Sequence, residues 1–177
     1  MGLSDAAADG APQAPRILDR PGRMALWLGL VAALVGLDQA SKQVAEALLA
    51  PYTPHTVVPG LFNLTLAYNP GAAFSFLASA GGWQRWFFLA LALVVGGVLL
   101  RWLLLRPARE ILWPLAYTLI LGGAIGNAVD RALHGHVIDF IQLYYQDWYW
   151  PAFNLADSAI TVGAALYIWM SFREGGD

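Results

Sequence analysis

The sequence contains no cysteine, and only 12% of its 177 residues are charged. Without thiols the chain has no disulfide bond, no cysteine nucleophile and no zinc–thiolate site. Soluble domains carry about a quarter charged residues, so the low charge argues against a soluble globular protein. Hydrophobic residues instead make up 58% of the chain, and the mean hydropathy is positive. These values predict a membrane protein.

Four apolar segments are long enough to cross a membrane, since a transmembrane helix needs ~20 residues for a hydrocarbon core of ~30 Å. They cover residues 24–49, 86–105, 111–128 and 152–172. We therefore predict an all-α membrane protein whose four transmembrane helices form one domain, residues 24–172. Residues 1–23 are rich in Ala, Asp, Gly and Pro and are predicted to be a disordered tail, with a second tail at 173–177.

The arginines fall mostly on one side of the membrane if the four segments are threaded in order. They precede the first segment, surround the turn between the second and third, and follow the fourth: Arg16, Arg20, Arg23, Arg101, Arg106, Arg109 and Arg173. The positive-inside rule places this side, with both termini, in the cytoplasm and the loops 50–85 and 129–151 outside. A cleaved signal peptide is an alternative for the first segment, but Asp38 and Lys42 would lie between its apolar run and the cleavage site.

The external loops contain two predicted strands. Residues 61–68 alternate between two faces, follow Pro59-Gly60 and end at the turn Asn69-Pro70-Gly71, which is the pattern of a half-buried strand. Residues 137–143 form a weaker strand candidate. Tryptophans and tyrosines of these loops are typical of the aromatic belt at a membrane surface. We interpret most of them as anchors: Trp83, Trp86, Tyr144, Tyr145, Trp148, Tyr149 and Trp150.

Most of the polar residues that are costly in a membrane are predicted to lie at one depth, just beneath the external surface. An ionisable residue in a membrane segment is a candidate functional residue for that reason. Asp38 lies about 21 Å along the first helix from Met24, at 1.5 Å per residue. The outer ends of the third and fourth segments and the adjoining loops supply the others: Asn69, Asn127, Asp130, Arg131, Asp139, Asn154, Asp157 and Ser158.

Asp139 and Asp157 are the candidate catalytic pair. Two carboxylates that share one proton can activate a water molecule against a carbonyl group. One aspartate, ionised, would act as the general base, and the other, protonated, would polarise the carbonyl. Low dielectric and mutual repulsion make double ionisation costly, so we expect the pair to titrate as a unit.

The remaining polar residues and glycines also have structural interpretations. These are an ion pair of Asp38 with Lys42, an orienting pair of Asp130 with Arg131, and helix-bridging hydrogen bonds by Asn127 and Asn154. Gly122 and Gly126 form a GxxxG pair, which predicts close helix packing and no chemistry.

Two other catalytic arrangements and one other class of function are alternatives. Ser41 and Lys42 suggest a serine–lysine dyad, but adjacent helical residues point about 100° apart. His134, His136 and Asp139 suggest a zinc site, although their short spacing beside a glycine also fits a turn with exposed histidines. A proton-coupled transporter would use intramembrane carboxylates too. Such a protein should carry some at mid-depth and on the inner side, whereas here they gather at one face.

Five motifs occur in order along residues 25–172. They are Asp38-Gln39-Ala40-Ser41-Lys42, Tyr68-Asn69-Pro70-Gly71-Ala72-Ala73-Phe74-Ser75, Gly126-Asn127-Ala128-Val129-Asp130-Arg131, Gly135-His136-Val137-Ile138-Asp139-Phe140 and Phe153-Asn154-Leu155-Ala156-Asp157-Ser158. Their content and order resemble the motif series of the lipoprotein signal peptidase family, also called signal peptidase II. Five motifs together make this resemblance highly specific.

The resemblance implies a multi-pass aspartyl endopeptidase of the bacterial inner membrane, with four transmembrane helices and a small β-containing periplasmic loop region. Such enzymes cleave prolipoproteins just before the diacylglyceryl-modified cysteine, near the outer face of the membrane. The implied partners are these substrates and membrane lipid, with no nucleic acid. The implied enzyme is a monomer that holds no cofactor and no metal.

The resemblance also implies roles for individual residues. Asp139 and Asp157 would be the catalytic dyad. Asn69 and Arg131 would hold the substrate backbone and the lipid carbonyls. The other implied binding or supporting residues, which shape the site or hold the first helix at its level, are Gly71, Asn127, Asp130, Asn154, Asp38 and Lys42.

Overall fold

The computed structural model describes residues 14–71 and 81–174, which form four long helices and one antiparallel sheet. The helices are α1 (Pro21–Leu48), α2 (Gln84–Leu105), α3 (Leu112–His134) and α4 (Leu155–Glu174). The sheet contains β1 (His55–Val58), β2 (Phe62–Asn69), β3 (Val137–Tyr145) and β4 (Trp148–Tyr149), which pair in chain order. A short 3₁₀ helix, Ile17–Asp19, precedes α1.

All four helices are long and apolar enough to cross a membrane. Their outward faces carry large apolar side chains that stay exposed, among them Leu37, Leu93, Val94 and Phe172. A surface of this kind suits lipid rather than water, because burial in an apolar surrounding is what such side chains favour. The predicted fold class, four membrane helices with a small β region, is confirmed.

The N-terminal tail needs a correction. Residues 1–13 lie outside the described part of the chain, but α1 begins at Pro21, whose fixed φ suits the first position of a helix. Ile17 is fully buried and packs in a core cluster with Trp27 and Leu103. Its backbone N–H donates to the carbonyl oxygen of Arg106 at 2.9 Å. The predicted disorder therefore does not extend to residue 23.

Two helix boundaries also differ from the prediction. α3 runs to His134 rather than to 128 and ends at Gly135, whose φ of +82° provides a left-handed C-terminal cap. α4 begins at Leu155 rather than 152, because the Phe153 backbone exchanges hydrogen bonds with Ile141 of β3. At its other end α4 continues to Glu174, and residues 175–177 lie outside the described part.

The sheet contains both predicted strands and two more, the short edge strands β1 and β4. β3 extends two residues beyond its prediction, to Tyr145. In β2 the polar residues Asn63 and Thr65 are buried, contrary to the simple alternation, and the Thr65 hydroxyl donates to Gln142 on β3 at 3.0 Å. An irregularity in the β2–β3 register between Leu64 and Ala67 interrupts the alternation there.

Glycines allow α3 to lie at the centre of the helices, and it is the most buried of the four. A Cβ atom at Gly122 would lie 2.6 Å from Leu34 of α1, and one at Gly126 would lie 2.6 Å from the Asp38 carboxylate. The predicted close packing at this pair is confirmed. One consequence is chemical, because the missing side chain at Gly126 lets Asp38 reach the outer end of α3.

Candidate active site

A cavity of about 770 Å³ lies between the sheet and the outer ends of α3 and α4. Its polar lining includes Tyr68, Asn69, Asn127, Arg131, Asp139 and Asp157. Its apolar lining includes Leu143, Trp150, Phe153, Ile160 and Val162. Both candidate catalytic aspartates therefore face one space, and that space has a polar side and an apolar side.

Asp139 lies on β3 and is only 2% exposed. One carboxylate oxygen accepts a hydrogen bond from the Asn69 side-chain amide at 3.2 Å, and the other accepts one from the Asn154 side-chain amide at 2.8 Å. Burial, followed by the neighbouring Asp157, raises the pKa of Asp139 to about 7, although both amides oppose this shift. A proton on this carboxyl is therefore available near neutral pH.

Asp157 lies in the first turn of α4 and is half-buried. Its Oδ1 accepts a hydrogen bond from the Asn127 side-chain amide at 2.7 Å. Its Oδ2 accepts one from the backbone N–H of Asn154 at 3.2 Å, while Oδ1 of Asn154 accepts the backbone N–H of Asp157 at 2.8 Å. This reciprocal arrangement is a capping box, so the start of the helix orients the carboxylate.

Asn154 connects the two aspartates. It is fully buried, its side chain donates to Asp139, and its backbone donates to Asp157. The same side-chain amide also approaches the Asn127 side-chain oxygen at 3.1 Å and the Ile138 carbonyl oxygen at 3.2 Å. The helix-bridging hydrogen bonds hypothesised for the two asparagines are thus present, and they run directly to the carboxylates.

Lys42 lies beside this pair, almost completely buried. Its ammonium is 2.7 Å from Asp38, 2.7 Å from Asp130 and 3.1 Å from the side-chain oxygen of Asn127. The predicted Asp38–Lys42 ion pair is present, whereas Asp130 pairs with Lys42 rather than with Arg131. A buried ammonium with two carboxylates needs further hydrogen bonds to satisfy the remaining oxygen atoms.

Backbone amides beside the two candidate catalytic residues supply those hydrogen bonds. Asp38 accepts the N–H of Ala156, in α4, at 2.9 Å. Asp130 accepts the N–H of Ile138, the residue before Asp139, at 3.1 Å. The ionic cluster therefore fixes the backbone next to each candidate catalytic residue.

Gln39 belongs to the same cluster, and sequence reasoning assigned it no role. Its side-chain amide donates to Asp130 at 2.7 Å and approaches Asp38 at 3.3 Å and the Gly126 carbonyl oxygen at 3.2 Å. The signal that could have identified it is its position three residues before Lys42, which places both on one side of α1.

Arg131 and Asn69 line another part of the cavity, and Gly71 is bonded to both of them. Its Nη2 donates to the Gly71 carbonyl oxygen at 2.8 Å, and the Gly71 N–H donates to the Asn69 side-chain oxygen at 3.0 Å. The guanidinium lies 4.8 Å from the ring centre of Phe88 on α2, a cation–π contact that sequence reasoning missed. Residues 72–75 of the second motif lie outside the described part of the chain.

The residues of the two alternative catalytic arrangements, the serine–lysine dyad and the zinc site, make other contacts in the structure. The Ser41 hydroxyl donates to the Asp38 carbonyl oxygen at 2.7 Å, and the Lys42 ammonium is held by carboxylates, so the serine–lysine dyad is not formed. The His136 ring packs against Tyr68 at 4.7 Å, and burial, then His134, lowers the pKa of His136. Within the described residues, no three His, Asp or Glu side chains are grouped as metal ligands.

The arrangement of Asp139 and Asp157 suits general acid–base chemistry. Each carboxylate is oriented by amide donors and both face the same cavity. A pair of this kind holds one proton most readily, and then offers an acid and a base to the same substrate group.

Comparison with known proteins identifies close relatives. A profile described as signal peptidase (SPase) II matches residues 30–173. A protein of Xylella fastidiosa (strain M12) named lipoprotein signal peptidase is 55% identical over 139 residues, 78% of this chain and 83% of that protein. A protein of the same name from Paraburkholderia phymatum is 50% identical over 161 residues, 90% of this chain and 96% of that protein. A solved bacterial membrane enzyme matches with a TM-score of 0.75 and 28% identity, over 86% of this chain and 90% of that one.

Proposed function

The chain belongs to the signal peptidase II family, and on this basis we propose that Asp139 and Asp157 together hydrolyse a peptide bond. As a lipoprotein signal peptidase the protein is a membrane protease that removes signal peptides from prolipoproteins. The transporter alternative is not supported by the relatives. The aspartic mechanism and the roles of single residues are our inference from the site.

The observation that carries the mechanism is the linkage of both carboxylates to Asn154 at the edge of one cavity. The ionised member of the pair takes a proton from water while the resulting hydroxide bonds to the scissile carbonyl carbon. The protonated member donates a hydrogen bond to the carbonyl oxygen. When the tetrahedral intermediate collapses, the C–N bond breaks and a proton from the pair goes to the leaving amine. The raised pKa of Asp139 supports a shared proton near neutral pH.

The two sides of the cavity support a lipid-modified peptide as the substrate. On the apolar side, Val162 is 58% exposed and Trp150 is 43% exposed, so acyl chains could lie against both from the membrane. Each methylene buried there contributes roughly 0.8 kcal/mol. On the polar side, Asn69 and Arg131 offer side-chain groups to the peptide, and Gly71 holds both in place. We propose cleavage just before a diacylglyceryl-modified cysteine, which spans both sides.

We also propose an inner-membrane enzyme with both termini in the cytoplasm, acting as a monomer near the outer face. Support comes from arginines at the helix ends opposite the aspartates, such as Arg23 at the start of α1 and Arg173 at the end of α4.

Cleavage of a lipidated and an unlipidated form of one prolipoprotein tests the function. We expect the purified protein to release the signal peptide from the lipidated form at least about a hundredfold faster, because remote binding energy from the acyl chains orients the scissile bond. Equal rates on both forms would remove the proposed lipid requirement while leaving a membrane protease.

The same assay separates the aspartic mechanism from a zinc mechanism. A strong chelator should leave the rate unchanged, and the double variant His134→Ala, His136→Ala should retain most of it. A zinc enzyme would lose its metal-activated water under either treatment. Loss of cleavage with chelator, restored by added zinc, would overturn the aspartic mechanism.

A further inference from the structure

A second cavity, of about 420 Å³, lies at the opposite end of the helices from the two aspartates. It is bounded by the end of α2, the start of α3 and the end of α4. Six of its lining residues are aromatic or charged: Trp102, Arg106, Trp113, Tyr117, Tyr167 and Glu174. The proposed hydrolysis uses none of them.

The aromatic rings of this cavity form a continuous group. Trp113 lies 5.2 Å from Tyr167 and 6.1 Å from Tyr117, and Tyr117 lies 5.9 Å from Trp102, all between ring centres. An aromatic belt presents its rings outward to the membrane surface, but Tyr117 is only 5% exposed and Trp113 and Tyr167 are half-buried. Ring centres this close mean that the rings pack against one another, so together they form one wall of the cavity. Aromatic rings that line a cavity attract an ammonium cation, because the face of each ring is negative.

Two opposite charges flank the same indole. The Arg106 guanidinium lies 4.8 Å from the Trp113 ring centre, and the Glu174 carboxylate accepts the Trp113 indole N–H at 2.7 Å. Among the described residues, Glu110 takes the Nε–H of Arg106, which leaves the terminal amino groups of the guanidinium as further donors. The cavity thus offers an anion site over the face of the Trp113 ring and a cation site at its edge.

We propose that this cavity binds the headgroup of a phospholipid that carries both an ammonium and a phosphate, such as phosphatidylethanolamine. The ammonium lies among the aromatic rings near Glu174, and the phosphate accepts hydrogen bonds from Arg106. The position is suitable, since the cavity lies where membrane helices end and lipid headgroups begin. A basic peptide fits less well, because Arg101, Arg109 and Arg173 surround this end of the helices and would repel it.

Native mass spectrometry of the full-length protein in detergent tests the proposal. Phosphatidylethanolamine and phosphatidylglycerol with identical acyl chains are added at equal concentrations, and the retained lipid is counted. We expect at least about fivefold greater retention of phosphatidylethanolamine, as a desolvated cation–π contact would give. Glu174→Gln should bring the two lipids to parity, and Arg106→Gln should weaken both. Arg101→Gln, an exposed arginine at the same end but outside the cavity, is the matched control and should change neither.

The result that overturns the proposal is equal retention of the two lipids by the unaltered protein, or a preference that Glu174→Gln leaves intact. Two competition arms identify other occupants. Soluble glycerophosphoethanolamine that binds as well as the lipid would assign the cavity to a soluble ligand. A synthetic basic peptide that displaces the lipid would assign it to a substrate segment. Either outcome would reject a lipid site, and neither would affect the assignment of the aspartates.

Discussion

At the scale of single residues, Asn154 determines how the site is held together. Its side chain orients Asp139 and its backbone orients Asp157, while its own oxygen caps α4. The side-chain NH₂ of Asn154 donates to the Asp139 carboxylate, and its backbone N–H donates to the Asp157 carboxylate. Its side-chain oxygen accepts the backbone N–H of Asp157. The two carboxylates are therefore positioned relative to each other by one buried residue, which is why we treat them as a unit.

Replacing either aspartate by asparagine should remove catalysis without removing the fold. Asp139→Asn and Asp157→Asn keep the side-chain shape but cannot share a proton, so the rate of prolipoprotein cleavage should fall at least about a hundredfold. Asp147→Asn, at an exposed loop position, is the control and should cleave normally. The measurement is signal-peptide release by purified variants that unfold in a single cooperative thermal transition, which shows that they are folded. A variant with substantial turnover would exclude that aspartate from the chemistry.

The raised pKa of Asp139 predicts how stability depends on pH. Its pKa is about 7 in the folded protein against an ordinary value of 3.8, so the folded state holds more protons between these values. This contribution to stability is complete below about pH 4 and is lost as the pH rises through about 7. Between pH 4.5 and 8 this proton is worth about 3 kcal/mol. The thermal midpoint of the unaltered protein should therefore fall by roughly 6–13 °C more than that of Asp139→Asn. Parallel curves for the two proteins would contradict the assignment.

Sequence reasoning identified most of the residues in the site but not how they connect. Asp38, Lys42 and Asp157 stand out because ionisable groups are rare in apolar segments, whereas Asp139 lies in a loop and stands out through its motif. The partner of Asp130 was predicted incorrectly, since a neighbour in sequence is not a neighbour on a helix face. Gln39 is uncharged, so it does not stand out in an apolar segment in this way. Phe88 does not stand out either, because aromatic residues are common in this chain.

At the scale of elements, the helices follow from hydropathy, whereas their ends depend on tertiary hydrogen bonds. α3 continues through Asp130 because Lys42 neutralises the charge of that residue. A prediction from hydropathy ends the helix before Asp130, because it counts only the apolar residues. α4 starts late because the preceding residues pair with β3. The short strands β1 and β4 were missed because two to four residues carry too little alternation to distinguish them from a turn.

Close packing of α3 against α4 should make Gly123 sensitive to substitution. A Cβ atom there would overlap the carbonyl oxygen of Ala156 and crowd Ile160. Gly123→Ala should therefore destabilise the protein by about 1–3 kcal/mol, the usual cost of overpacking, and should also reduce cleavage because Ala156 adjoins Asp157. Gly97→Ala is the matched control, since it lies on an exposed face of α2 with no atom within 4 Å of the added carbon. Equal thermal midpoints in detergent for both variants would contradict this packing.

At the scale of the whole molecule, the described polar and aromatic groups divide between two ends. The end with the sheet contains the buried acids Asp38, Asp130 and Asp139, and the other end contains the arginine-rich helix termini. The long middle sections of the helices are apolar. The two ends of the protein therefore differ in charge, which by the positive-inside rule predicts its orientation in the membrane.

Because the chain contains no cysteine, single introduced cysteines can test the orientation of the protein in the membrane. Thr56→Cys, on the exposed strand β1, should react with an impermeant thiol reagent added to intact spheroplasts. Ala14→Cys, exposed before α1, should react only after the membrane is opened. The labelling pattern on gels is the measurement. The opposite pattern would reverse the orientation and place both aspartates at the cytoplasmic side.

The bond from the Ala156 N–H to Asp38 joins the first helix to the last, across 118 positions of sequence. Since the chain is made from its N-terminus, α1 enters the membrane first and α4 last. Lys42 gains its second carboxylate, Asp130, when α3 arrives, and Asp38 gains the N–H of Ala156 only with α4. Asp157 and its cap on α4 are therefore added to an ion cluster that α1 and α3 have already formed. A chain that ends before α4 lacks both the Ala156–Asp38 bond and one of the two candidate catalytic aspartates, so the proposed site can form only after the last helix is in place.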